Sequence, residues 1–161
     1  MSDRRKTIEH IMQEERDSLF RLACYKTGNA DDAADIVQDV FLKIWYMDSV
    51  TVKDVRKYLY KSVSNACISY QRTHQDVVYT DFDGMDFEEQ PNDGFEEEYR
   101  RISMLLKMIP PEQAEVISLR TIGGKSFDEI ASLLGVNVST VKSRFRYGID
   151  KIQKKIYSSV I

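Results

Sequence analysis

The chain has 161 residues and a net charge of −3, with 42% hydrophobic and 30% charged residues, a balance that fits one compact soluble domain or two small ones. No apolar run approaches the ~20 residues a membrane-spanning helix needs, and the N-terminal stretch MSDRRKTIEHIMQEERDSLF lacks the apolar core of a secretory signal. Membrane insertion is therefore not expected, and the cytoplasm is the expected compartment.

The total charge hides its distribution. Residues 1–75 hold 12 Lys+Arg and 11 Asp+Glu, residues 76–98 hold no cation and 10 Asp+Glu, and residues 99–161 hold 11 Lys+Arg and 5 Asp+Glu. A basic C-terminal unit stands beside an acidic stretch. The two cysteines, Cys24 and Cys67, lie in helical patterns outside any metal-ligand spacing, which predicts reduced, partly buried thiols. No metal site and no cofactor are expected.

In chain order, Ile8, Ile11, Met12, Leu19, Leu22 and Ala23 mark a first amphipathic helix ending near Thr27-Gly28. Asn29 suits the cap of a second helix, residues 30–45, with Asp31 and Asp32 near its positive end. Ile36, Val37, Val40, Phe41 and Ile44 form its apolar face. Asp35, Gln38, Asp39 and Leu42 recur at i, i+3, i+4 and i+7 on the other side. That second face reads either as a protein-docking surface or as a solvated face with one stray leucine.

After a short segment, Tyr46 to Thr51, residues 52–73 carry a third helical pattern with Val55, Leu59, Val63, Ala66 and Tyr70 facing inward. Lys53, Lys57, Lys61 and Asn65 recur every four residues on its other side, with Arg72 beyond. Three lysines in a line repel slightly, a cost that phosphates would relieve. Tyr60, Ser64 and Ile68 lie near the stripe and offer contact to an unstacked base. A plain solvated basic face is the alternative.

Residues 75–98 carry Gly84, Pro91 and Gly94 and ten carboxylates. They read as a flexible acidic linker, with enough aromatics to suggest that it docks somewhere. Helical periodicity returns at Tyr99 and leads to Pro110-Pro111, where Pro111 suits the first turn of a new helix. Ser126 with Glu129 has the form of a capping box. Phe127, Ile130, Ala131 and Leu134 share one face, Gly135 stops the helix, and Ser139 is placed to cap the next. Val141, Phe145, Ile149 and Ile152 form the buried face of that last helix. Its polar face shows Ser139, Thr140, Lys142, Ser143, Arg144, Arg146 and Tyr147, groups suited to phosphates and base edges. A capped helix, a glycine turn and a second helix with a basic face is the helix-turn-helix pattern; an ordinary helical hairpin with a solvated charged face is the alternative. The predicted class is all-α: two small helical domains, 1–74 and 99–161, joined by the 75–98 linker, the second containing the helix-turn-helix.

Together these segments resemble the extracytoplasmic-function sigma factors of bacterial RNA polymerase, over about residues 10–157. DIVQDVFLKIW is similar to the family's core-polymerase-binding helix, and YLYKSVSNACISYQR to its helix for the −10 promoter element. LLKMIPPEQAEVISLR with SFDEIASLLGVNVSTVKSRF is similar to its C-terminal domain for the −35 element. The chain departs from the family at Ser69, often aspartate, and at Tyr147-Gly148, commonly Arg-Ala.

The resemblance implies a dissociable specificity subunit without catalytic chemistry, acting in promoter recognition and melting. Asp35, Gln38, Asp39 and Leu42 would bind the polymerase clamp. Lys53, Lys57, Lys61, Asn65 and Arg72, with the loop Asp48–Thr51, would hold the melted −10 strand. Ser139 to Tyr147 would read the −35 duplex. The partners implied are core polymerase (clamp and flap), promoter DNA and an anti-sigma factor. The linker would pass through the polymerase's positive interior. Charge asymmetry, apart from the resemblance, also allows the linker of the free protein to lie against the basic face of Ser139–Tyr147, with an inert solvated tether as the alternative. A free-standing helix-turn-helix regulator is the competing reading. It accounts for residues 99–161 but leaves DIVQDVFLKIW and the lysine stripe without a role.

Overall fold

The structure is a computed structural model that describes the backbone of residues 3–84 and 95–160, and the side chains of residues 3–74 and 97–158. Its elements are α1 (Asp3–Thr27), α2 (Ala30–Trp45), a one-turn 3-10 helix (Val52–Asp54), α3 (Val55–Gly84), α4 (Phe95–Lys107), α5 (Pro111–Thr121), α6 (Phe127–Leu134) and α7 (Val138–Val160). Among the described residues there is no strand.

The punctuation between helices is chemical. Gly28 adopts φ 72 and returns its N–H to the Cys24 carbonyl at 2.8 Å, which closes α1 in a conformation a Cβ would strain. Asn29 then caps α2 by accepting from the Asp32 N–H at 3.0 Å. Pro110 and Pro111 open α5, where a missing N–H is harmless. Ser126 and Glu129 form both halves of the capping box on α6, and Gly135 ends it with φ 70 and ψ 34.

Helices α1, α2 and α3 pack pairwise against one another. All six apolar positions expected on α1 are buried, and Leu19, Ile44 and Leu59, from the three helices, are wholly removed from solvent. Burial of each such side chain contributes ~1.5–3 kcal/mol. Cys24 and Cys67 are free thiols within this core, and burial pushes the Cys67 thiol up to about 11, which leaves it unreactive. In the C-terminal half α5 and α6 both pack on α7, with Phe127 and Phe145 edge to face at 5.4 Å. A single buried cluster joins the halves, because Tyr99, Val116, Leu119, Ile130 and Val141 belong to the same core as α1–α3.

Three local expectations change. First, α3 continues to Gly84 and α4 begins at Phe95, so helix covers both ends of the stretch expected to be linker. No glycine or proline interrupts residues 75–83, and extending an existing helix costs far less than starting one. Residues 85–94, the remainder of that stretch, lie outside the described residues. Second, α7 starts at Val138, with the Val141 N–H bonded to the Asn137 carbonyl at 3.1 Å. Ser139 is thus inside the first turn rather than the cap. Third, Cys67 rather than Ala66 is the buried residue on the inner face of α3, and Tyr70 is half-buried.

Candidate nucleic-acid interface

The α2 face is laid out as its spacing implies. Asp35, Gln38, Asp39 and Leu42 are all exposed, on the side opposite the buried Val37, Val40 and Ile44. Leu42 is 50% exposed. Beside it lies a groove of about 690 Å³ between α1 and α2, lined by Met12, Phe20, Phe41 and Trp45 together with Gln38 and Leu42. An apolar groove edged by an amide and carboxylates can accept the apolar side chains of a partner while polar groups fix its register.

On α3, Lys53, Lys57, Lys61, Asn65 and Arg72 are all exposed. The loop before them is anchored from α1, since Arg4 Nη2 donates to the carbonyls of Met47 at 3.1 Å and Val50 at 2.7 Å. Asp48, Ser49 and Thr51 stay exposed beside the lysine stripe. The neighbours expected to meet a base divide. Ile68 is 44% exposed, whereas Ser64 is half-buried and accepts from Lys26 Nζ at 3.1 Å. Tyr60 is buried at 7% exposure. Burial and the adjacent Glu15 carboxylate raise the pKa of its phenol. Both side chains are engaged inside the protein, Ser64 with Lys26 of α1, and Tyr60 with Glu15 and Ser18 of α1 and with Lys125 over its ring.

On α7 the exposed members of the expected recognition face are Ser139, Lys142, Arg146 and Tyr147. Thr140, Ser143 and Arg144 are half-buried. The Arg146 guanidinium lies 5.5 Å from the centroid of the Tyr147 ring, within the range of a cation–π attraction. Two more residues have unforeseen neighbours: His10 Nε2 lies 2.8 Å from Glu14, and His74 stacks on Tyr70 at 3.9 Å. Among the described residues no group of His, Cys, Asp or Glu is placed to hold a metal, and no helix is long and apolar enough to cross a membrane.

Sequence reasoning missed a polar cluster between the halves. Glu15 is 4% exposed and receives Lys125 Nζ at 2.9 and 2.7 Å, Arg56 Nε at 3.3 Å and the Tyr60 hydroxyl. Ser18 Oγ donates to the Gly123 carbonyl at 2.9 Å and lies 2.8 Å from Tyr60 Oη. Arg21 Nε donates to the Ile122 carbonyl at 3.0 Å, and Lys26 Nζ pairs with Glu115 at 2.8 Å. The available signal was a second stripe on α1, Glu15, Ser18, Leu22 and Tyr25 at helical spacing.

Two family models cover most of the chain: sigma-70 region 2 over residues 11–77 and sigma-70, region 4 over residues 99–151. The chain is 30% identical over 142 residues to the ECF RNA polymerase sigma factor SigL of Mycobacterium tuberculosis, a match covering 84% of this chain and 80% of that protein. It is 24% identical over 153 residues to the ECF RNA polymerase sigma factor SigE of Mycolicibacterium smegmatis, covering 90% of this chain but only 60% of that relative. Among solved structures, CnrH in complex with the cytosolic domain of CnrY is similar in fold, with TM-score 0.69, 21% identity, and coverage of 94% of this chain and 88% of that one. The sigma factor RpoE of Bartonella quintana, solved with the anti-sigma factor NepR, matches with TM-score 0.55 and 20% identity over 94% of this chain and 98% of that one. With region 2 and region 4 matched in that order and a relative at 30% identity over most of both chains, the chain belongs to the extracytoplasmic-function sigma factors, which direct RNA polymerase in transcription initiation.

Proposed function

We propose that the protein brings core RNA polymerase to a particular set of promoters through three separate surfaces, and works in the cytoplasm. Asp35, Gln38, Asp39 and Leu42 dock on the polymerase clamp, and the region 4 half meets the flap. Lys53, Lys57, Lys61, Asn65 and Arg72 hold the melted −10 strand. Capture of unstacked bases favours open DNA without a nucleotide-driven step. Ser139, Thr140, Lys142, Ser143, Arg144, Arg146 and Tyr147 meet the −35 duplex. Phosphate contacts set the register there, and base contacts set the preference.

The observation that carries this reading is the exposure of the α2 face. A regulator acting without polymerase has no use for a leucine half open to water among Asp35, Gln38 and Asp39. The solved relative held by an anti-sigma factor supports a partner of that kind for this chain as well. Sigma factors are generally not enzymes, and the protein acts by binding. Run-off transcription with purified core polymerase is the test, followed by mapping of transcript 5′ ends. The expected result is initiation at defined promoters that depends on the added protein. DNA binding without stimulated initiation would favour the free-standing regulator.

A further inference from the structure

We infer that Arg4, in the first turn of α1, is a positioning residue for promoter melting: it fixes the loop between α2 and α3 so that Asp48 and Ser49 face the melted strand. This role depends on the −10 reading above, in which Asp48–Thr51 meets the strand beside the lysine stripe. Arg4 lies before residue 11, where the match to sigma-70 region 2 begins. It is nevertheless tied to residues 43 and 46 positions further on. Its Nη2 donates to the Met47 carbonyl at 3.1 Å and to the Val50 carbonyl at 2.7 Å. One nitrogen thereby bridges two carbonyls of the loop and turns both towards α1. Asp48 and Ser49, the residues between them, are exposed.

The loop's other restraints lie at its ends and in its side chains. Helix α2 ends where the Tyr46 and Met47 N–H groups return to the carbonyls of Leu42 and Ile44, at 3.2 and 3.1 Å. Regular bonding resumes at Thr51. Its carbonyl accepts from the Asp54 N–H at 2.9 Å, and its hydroxyl donates to the Asp54 carboxylate at 3.0 Å. Between these ends the side chains of Met47, half-buried, and Val50, 7% exposed, pack on the same core as Ile8. Apolar anchors set the depth of the chain but not the orientation of its peptide groups, because apolar burial is non-directional. Two hydrogen bonds from a guanidinium are directional and charge-assisted. A lysine would keep the charge without the planar fork. Arg5 adds a second clasp, its guanidinium lying 5.8 Å from the centroid of the Trp45 ring at the end of α2. A loop already held in one shape loses less freedom when it takes hold of a strand.

The test uses the full chain assembled with core polymerase. The probe is a short fluorescent single strand carrying the −10 element of a promoter found by 5′-end mapping, with a set of strands in which each base is replaced in turn. Asp48→Asn and Ser49→Ala identify the base that the loop reads, as the position where preference drops. Arg4→Met should lower the preference at that same position at least about fivefold, the low end of what one base contact contributes. The slope of log K against log salt should stay unchanged, whereas a direct phosphate contact by Arg4 would make its loss reduce the slope by ~0.7. Co-purification with core polymerase should stay at the parent's level. Arg4→Lys, the milder change, keeps the charge and should show the same loss of preference. Full preference in both Arg4 variants, while the loop variants lower it, would overturn the inference and leave the −10 reading standing. No base preference, or none that loop or Arg4 variants change, would overturn both. Preference kept by Arg4→Lys alone would show that charge suffices and would overturn the two-carbonyl bridge. A reduced salt slope, or a parallel loss of polymerase binding, would overturn positioning by assigning Arg4 to the strand itself or to general stability.

Discussion

Gly148 on α7 lies directly against Ile117 on α5: a Cβ at Gly148 would stand 2.5 Å from Ile117 Cδ1 and 3.2 Å from Gln113 Cβ. An alanine at 148 would therefore have to displace the end of the Ile117 side chain between α5 and α7. Two terms oppose each other in Gly148→Ala. Helix propensity favours alanine by ~1 kcal/mol, and overpacking a buried contact costs ~1–3 kcal/mol. With Ile117 buried and Gln113 Cβ closing the other side, the steric term should win by about 1 kcal/mol. Ile117→Val removes the clashing methyl, so Gly148→Ala should cost less stability in that background than alone. Denaturant unfolding of the four proteins in the cycle checks this, and strictly additive effects would remove the contact as the reason for glycine.

The capping box yields a prediction with a pH dependence. The backbone N–H of Ser126, chiefly, holds the Glu129 carboxyl below its ordinary pKa of 4.5. A carboxylate with a lowered folded pKa stabilises the protein above its unfolded pKa, and that stability is lost as pH falls through the folded value. Ser126→Ala should cost ~1 kcal/mol near neutral pH. Glu129→Gln keeps an acceptor for the Ser126 N–H but cannot titrate. Its acid unfolding profile should be flatter below about pH 4.5 than the parent's, by circular dichroism.

Much of this architecture was legible because its signals are local. Asn29, Gly28, Pro111, Ser126, Glu129 and Gly135 each act within one helical turn, so the ends of α1, α2, α5 and α6 could be read from neighbouring residues. The outward face of α2 was equally plain, since three to four residue spacing alone places Asp35, Gln38, Asp39 and Leu42 together. The roles of Tyr60 and Glu15 were not legible. Tyr60 lies on a basic helix and looks available to a base, but Ser18 and Lys125, 42 positions before it and 65 after it, remove it from solvent. Nothing in a linear pattern reports which face of one domain a second domain will cover.

The docking role proposed for the α2 face gives a binding prediction. Gln38→Ala with Leu42→Ala removes the amide and the exposed leucine without touching the Val37, Val40 and Ile44 stripe. Helical content and unfolding midpoint should remain near those of the parent, because exposed substitutions away from caps stay within ~0.5 kcal/mol. Co-purification with core polymerase should fall at least tenfold, an energy of ~1.4 kcal/mol or more, which truncating a central interface residue commonly exceeds. A folded double variant that still binds polymerase normally would place the docking surface elsewhere.

The proposed −35 surface on α7 allows phosphate and base contacts to be separated by salt. Lys142 is exposed near the start of α7. If it neutralises one phosphate, Lys142→Ala should weaken binding on most sequences and reduce the slope of log K against log salt by ~0.9. Arg146 and Tyr147 lie farther along the same helix, with Tyr147 55% exposed and the guanidinium near its ring. A base-edge contact there would appear as a changed −35 preference, with ~1–3 kcal/mol lost on the preferred site and little on others. Because the ring attracts the guanidinium, Tyr147→Ala should loosen the preference that Arg146 sets, and the two effects should fall short of additive. The measurement is duplex binding at several salt concentrations. If Lys142→Ala leaves the salt slope unchanged and Arg146→Ala weakens all duplexes equally, the two roles are exchanged; if neither variant changes binding, α7 is not the helix that reads the −35 duplex.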